Sequence, residues 1–148
     1  MKFKVTKKPI DIETNSRIIY VEVMILFAMY YTGTGSEKKI SLLKIHLLLW
    51  SLKDEFRQKS LLNSIENDCE NPIGLWTIDI KNNSVLTFMI NDKLCKFDGN
   101  KYCLTDVGLK FINNIIKLDI FNTEQEYLKN IGKKLTDKNV NKLKSLWS

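Results

Sequence analysis

Histidine occurs once in this sequence, at His46, and cysteine three times, at Cys69, Cys95 and Cys103. A lone imidazole with no matching carboxylate or cysteine neighbourhood is a poor basis for catalysis or metal binding, so His46 reads as a structural or interface residue. An odd number of cysteines without CxxC spacing argues against a zinc site and a disulfide framework. The three read as small apolar side chains in a reducing compartment, although one hairpin register brings Cys95 opposite Cys103. Long apolar runs are also missing. The longest, from Ile18 to Tyr31, is broken by Glu22 and falls short of the roughly 18 uncharged residues that a membrane span needs. The N-terminal MKFKVTKKPIDI has neither the apolar core nor the small-residue cleavage site of a secretory signal, and the expectation is a soluble cytoplasmic protein.

Catalytic constellations are equally scarce. The Gly33-Thr34-Gly35 stretch lacks the GK[ST] ending and preceding strand of a phosphate loop. Asp79, Asp92, Asp98 and Asp106 fall at element ends, where turn and capping roles account for them, and no spacing sets two carboxylates and a histidine on one face. These absences predict a non-enzyme without cofactor or metal.

What is present is a basic, core-forming chain. A 44% apolar content over 148 residues suffices for one domain with extensions, and the net charge of +6 permits an acidic or nucleic-acid partner without proving one. The lysines cluster at the ends: Lys2, Lys4, Lys7 and Lys8 near the start, then Lys129, Lys133, Lys134, Lys138, Lys142 and Lys144. Solvated faces are the default reading of both clusters.

The sharpest local signal is YCLTDVGLKFINNII, residues 102–116. Thr105 is a helix N-cap, Asp106 complements the helix dipole, and Leu109, Ile112 and Ile116 follow at helical spacing. Upstream, LCKF and KYCL flank the turn residues Asp98, Gly99 and Asn100 and predict a hairpin. A nearly all-apolar helix is predicted from an Asn15 or Ser16 cap to about Tyr31, ended by the glycine loop TGTGSEKK. ISLLKIHLLLWSL, 40–52, predicts a second helix that continues or resumes to about Asn67 before Pro72. LWTIDI, 75–80, alternates like a strand. In the next stretch Val85, Leu86, Met89, Ile90 and Leu94 favour a helix over 83–92, capped by Asn83 or Ser84. Two C-terminal helices are predicted with caps at Thr123 and Thr136. Their apolar content is thin and calls for a partner to stabilise them.

This order predicts a mainly α fold with a small β wing: a winged helix-turn-helix domain over 15–117, preceded by a basic segment 1–14 and followed by a helical C-terminal extension 118–148. Ser84 to Asp92 take the place of the recognition-type helix.

Within that frame, K-x-H-L-x-x-W at Lys44, His46, Leu47 and Trp50, paired with L-T-x-x-G at Leu104, Thr105 and Gly108 after a wing, resembles the middle components of ABC-type three-component systems. These are winged-helix accessory proteins of prokaryotic conflict systems, encoded with an SMC-like or Rad50-like ATPase and a variable effector. The likeness covers about residues 17–117; Lys93 and Lys96 depart from the more acidic approach to the wing in that family. The resemblance implies a non-catalytic subunit docked onto an SMC/Rad50-like ABC ATPase, together with an effector, in defence against phage or plasmid DNA.

The broad apolar face of the first two helices marks Phe27, Tyr30, His46 and Trp50 as candidate partner contacts, with core packing as the competing explanation. Lys93, Lys96 and Lys101 on the wing are candidate contacts to DNA phosphates. The alternative is a winged-helix transcriptional regulator. The absence of arginine or lysine within Ser84 to Asp92 disfavours base readout, since Ser84, Thr87, Asn91 and Asp92 would have to supply it.

Overall fold

The computed structural model describes residues 9–73, 76 and 78–146, with side chains described from Arg17 onward. The N-terminal lysine cluster lies outside these residues, as do Leu75, Thr77 and Trp147.

Seven α-helices and one β-hairpin make up the described chain. Helix α1, Pro9–Thr32, is the axis of the fold. It starts six residues before the expected Asn15 cap, at a proline, which is tolerated at the first helical position. Val23 through Met29 are buried without interruption, which requires neighbours all round the helix. Those neighbours are α2 (Leu42–Ser51), α4 (Lys81–Asn91), α5 (Asp106–Lys117) and α6 (Asn122–Ile131).

Helix α2 is capped by Ser41, whose hydroxyl accepts from the Lys44 amide at 3.2 Å. The chain breaks after Ser51 and resumes as α3, Glu55–Glu66, because the Asp54 carboxylate accepts from the Arg57 amide at 2.8 Å and restarts the helix. The strand expected over 75–80 is not formed at the described positions. Trp76, Ile78 and Asp79 are irregular, with Trp76 buried and Ile78 exposed. Alternation at these residues reflects one anchoring indole and not a sheet face. Helix α4 begins at Lys81, ahead of the expected Asn83 or Ser84 cap. The Asp79 carboxylate accepts from the Lys81 amide at 3.0 Å and turns the chain into the helix.

Strands β1 (Cys95–Phe97) and β2 (Tyr102–Leu104) pair antiparallel, with Cys95 opposite Leu104 and Lys96 opposite Cys103. Cys95 and Cys103 are therefore not cross-strand partners, and all three cysteines are free and buried. Ile40 bridges Tyr102 through two backbone hydrogen bonds of 2.9 Å and adds a one-residue third strand beside β2.

Thr105 caps α5 as the sequence indicated, its hydroxyl accepting from the Gly108 amide at 3.0 Å and donating to the Lys93 carbonyl at 2.5 Å. It thereby ties the end of the hairpin to the residue that leaves α4. Helix α6 does not use Thr123 as its cap. Phe121, in the left-handed region at φ 56°, precedes it, and its ring packs edge-on against Tyr20 at 5.7 Å and Phe27 at 6.5 Å. The ring burial holds a backbone geometry that a bulky residue otherwise avoids. Helix α7, Asp137–Ser145, is capped by Thr136 as expected.

The two C-terminal helices find their cover inside the chain. Tyr127, Leu128, Ile131, Leu135, Val140 and Leu143 are all buried, α6 against α1 and α7 against α2. The Tyr127 hydroxyl donates to Ser51 Oγ at 2.7 Å, and Tyr31 donates to Gln125 at 2.6 Å. These six residues of the thin apolar stripe are covered within the chain, and Leu146 is half-buried. No helix among the described residues is long and apolar enough to cross a membrane.

Candidate interaction site

Three of the four expected partner contacts are interior in this chain. Phe27 is fully buried beside Tyr31 and Phe121. Trp50 is 7% exposed, and the Arg57 guanidinium lies 4.9 Å from its ring centre while Nη1 donates to the Trp50 carbonyl at 3.3 Å. This cation over the indole face closes it from solvent. His46 is 2% exposed, with Nε2 3.1 Å from Asn83 Oδ1 and Nδ1 without a hydrogen-bond partner among the described residues. Facing an amide oxygen, Nε2 carries the proton. Burial lowers the imidazole's pKa, and the Asn83 hydrogen bond and the charge of Asp79 oppose that shift. Tyr30 alone is half-buried, with Lys38 Nζ 5.7 Å from its ring centre.

Lys44, in the same motif, is 3% exposed and donates to the Thr32 carbonyl at 3.0 Å, joining the end of α1 to the start of α2. Desolvation lowers its pKa to about 8; Asp137 acts against this, and Lys101 and Lys133 with it.

The three lysines expected to contact phosphates differ from one another. Lys93 and Lys96 are exposed, Lys93 at φ 64° where α4 hands over to β1. Lys101 is engaged: its Nζ lies 2.7 Å from the Asp137 carboxylate and fastens the hairpin to α7. The hairpin turn carries a carboxylate, Asp98. Asp98 accepts from the backbone amides of Lys101 at 2.7 Å and Asn100 at 2.9 Å, which, with Lys39 3.3 Å away, hold its pKa down to about 2.

An apolar surface lies elsewhere, beside α4. Phe88, 49% exposed, and Ile90, 37% exposed, flank the buried stripe of α4 on opposite sides, with Ser84, Thr87 and Asn91 facing outward between them, and Ile80 just before the helix is 76% exposed. Ile90 was expected in the core, but Val85, Leu86 and Met89 fill the buried stripe and leave it outside. Phe88 forms one wall of a groove of about 890 Å³ between α1, the end of α2 and α4. Met24, Leu49 and Val85 make its floor, and Tyr20 and Val21 its opposite wall. Arg17, Lys53 and Lys81 stand at the rim, and none takes part in an ion pair among the described residues.

Sequence reasoning missed this groove because it weighed only the polar side of the recognition-type helix. The available signal was Phe88, an aromatic lying off the stripe that Val85, Leu86 and Met89 define. Among the described residues, histidine, cysteine and acidic side chains form no group of three able to hold a metal ion. Comparison of the chain with protein-family models, curated proteins and solved structures returns no match.

Proposed function

We propose that this chain is a non-catalytic winged-helix accessory subunit that docks onto an SMC/Rad50-like ABC ATPase in a prokaryotic defence complex against phage or plasmid DNA. The winged-helix reading is supported by the order α4, β1, turn, β2, α5, with Ile40 bridging Tyr102 in the place of a first strand. The two motifs behind the family resemblance have structural employment that fits this reading. Lys44 and His46 tie α2 to α1 and α4, and Thr105 and Gly108 lock α5 to the hairpin.

The observation that carries the docking function is the exposed ring of Phe88 on the side of α4 that borders the groove. A recognition helix that reads DNA presents basic and amide side chains to base edges. This one exposes Phe88 and Ile90 and has no cation beyond its first residue, Lys81. Half-exposed apolar side chains beside a groove fit a protein partner better than a duplex. DNA contact in this assembly is sequence-tolerant and runs through Lys93 and Lys96, the two wing lysines without an ion-pair partner among the described residues.

Affinity capture of the tagged chain from its native host, with the associated proteins identified by mass spectrometry, tests the proposal. An ABC-type ATPase in stoichiometric amount supports it. Capture of specific promoter fragments with no ATPase, and sequence discrimination of about 1000-fold or more, would establish the transcriptional-regulator alternative.

A further inference from the structure

We infer that the groove between α1 and α4 is a receptor for an acidic amphipathic helix of a partner protein, with Phe88 as its central contact. The inference rests on the docking function proposed above and names the chemistry of the docked element.

The shape of the occupant follows from the groove walls. Both long walls are α-helices whose backbone groups are bonded within the helix, so the walls offer no main-chain partners to an extended peptide. A helix satisfies its own backbone and brings only side chains, the arrangement of helix-in-groove recognition. The apolar floor of Met24, Leu49 and Val85, with Phe88 beside it, accepts side chains at i, i+3, i+4 and i+7.

The charge of the occupant follows from the rim. Among the described residues of the rim, Arg17, Lys53 and Lys81 bring three positive charges against one carboxylate, Asp79, whose Oδ1 is already occupied by the Lys81 amide. Such a rim attracts acidic residues flanking an apolar stripe. A second copy of this chain would approach with its own charge of +6 and be repelled. Single-stranded nucleic acid is served by aromatic platforms. Here the Tyr20 ring packs against Phe121 at 5.7 Å and its hydroxyl donates to Glu124 at 3.3 Å, which leaves Phe88 as the one uncommitted ring of the groove.

A displayed library of amphipathic helical peptides, with apolar residues fixed at i, i+3, i+4 and i+7 and with Glu, Gln or Lys at the flanking positions, is selected on the full chain. Glu-rich flanks are expected to be enriched. Phe88→Asp should weaken the selected peptides about 30-fold or more, as for a central interface aromatic. Ser84→Trp, which fills the groove without adding charge, should do the same, and both variants should keep the wild-type thermal midpoint because the replaced side chains are exposed. Lys53→Glu combined with Lys81→Glu should slow association about tenfold at low ionic strength and shift selection toward Lys-rich flanks.

The inference is overturned by no enrichment, by enrichment of Lys-rich flanks from the wild-type chain, or by binding that survives both groove variants. Self-association or oligonucleotide binding that Phe88→Asp abolishes would assign the groove to a second copy or to nucleic acid, and would also overturn it. Its failure is distinguishable from that of the docking function: an ATPase captured equally by wild type and Phe88→Asp leaves the function standing and removes the groove. Groove-dependent binding of acidic helices without any captured ATPase does the reverse.

Discussion

Replacing Gly108 with alanine tests the junction that holds hairpin and helix together. A Cβ at this position would stand 2.0 Å from the Leu94 carbonyl oxygen, 2.9 Å from Leu104 Cδ1 and 3.0 Å from the Leu94 carbonyl carbon. Ordinary contact begins at 3.4 Å, so α5 and Leu94 must separate by about 1.4 Å. Two of the three obstacles are backbone and cannot rotate away. Overpacking of this kind costs about 1–3 kcal/mol. The separation also endangers the Thr105 amide's hydrogen bond to the Leu94 carbonyl, 3.3 Å long, at about 1 kcal/mol. Alanine's better helix propensity returns about 1 kcal/mol. The net is a loss of about 2 kcal/mol, or roughly 4–8 °C in thermal midpoint for a domain of this size. Circular dichroism melts of Gly108→Ala and wild type measure it, with Val107→Ala, an exposed change in the same turn, expected within about 0.5 kcal/mol of wild type. A midpoint for Gly108→Ala equal to or above wild type would refute the close approach of α5 to Leu94.

Thr105→Ala should cost about 1–2 kcal/mol through loss of the cap, and Thr105→Ser, which keeps the hydroxyl, should recover most of it; equal melts for the two would reject the capping role. Asn83→Ala leaves the buried imidazole without its amide oxygen, and a loss of about 1–3 kcal/mol is expected. Because the folded His46 pKa lies below the unfolded value near 6.5, the unfolded chain binds the proton first, and stability falls as pH drops below about 6.5. His46→Gln should flatten the difference between melts at pH 7 and pH 5.5, and an unchanged difference would remove His46 as its source. For Lys44 the folded pKa of about 8 lies below the ordinary 10.5, so folding disfavours the charged form and its penalty fades as pH rises from about 8 to 10.5. Lys44→Met should therefore stabilise the protein relative to wild type by about 1 kcal/mol or more at pH 7, and the advantage should shrink toward pH 10; a destabilised variant at pH 7 would mean that the hydrogen bond to Thr32 outweighs the desolvation.

Legibility tracked the range of the interactions. Thr105 and Thr136 were readable as caps because a cap is closed within three residues of chain. The Asp98-Gly99-Asn100 turn and the burial of α1 followed in the same way from local chemistry and composition. Thr123 misled because the entry to α6 is fixed by Phe121 packing on Tyr20 and Phe27, about a hundred residues earlier in the chain. The strand expected over 75–80 misled because period-two alternation over so few residues does not distinguish a sheet face from a single buried anchor. Among the candidate contacts, the aromatic and basic residue types were legible but their exposure was not: Trp50 is covered by Arg57, and Lys101 is bound by Asp137.

The sequence by itself determined a mainly helical chain with one tight hairpin, a helix launched by Thr105, a first helix apolar enough to need cover on every side, and free cysteines. Each of these depends on residue type and on neighbours a few positions away. Only the tertiary structure decided that the cover comes from α2, α4, α5 and α6 together, that His46 and Trp50 are enclosed, and that Phe88 stands beside an open groove. Burial is a property of what packs against a side chain, and those partners sit many tens of residues away: Tyr127 on Ser51, Phe121 on Phe27, and Val85 beside Met24 and Leu49.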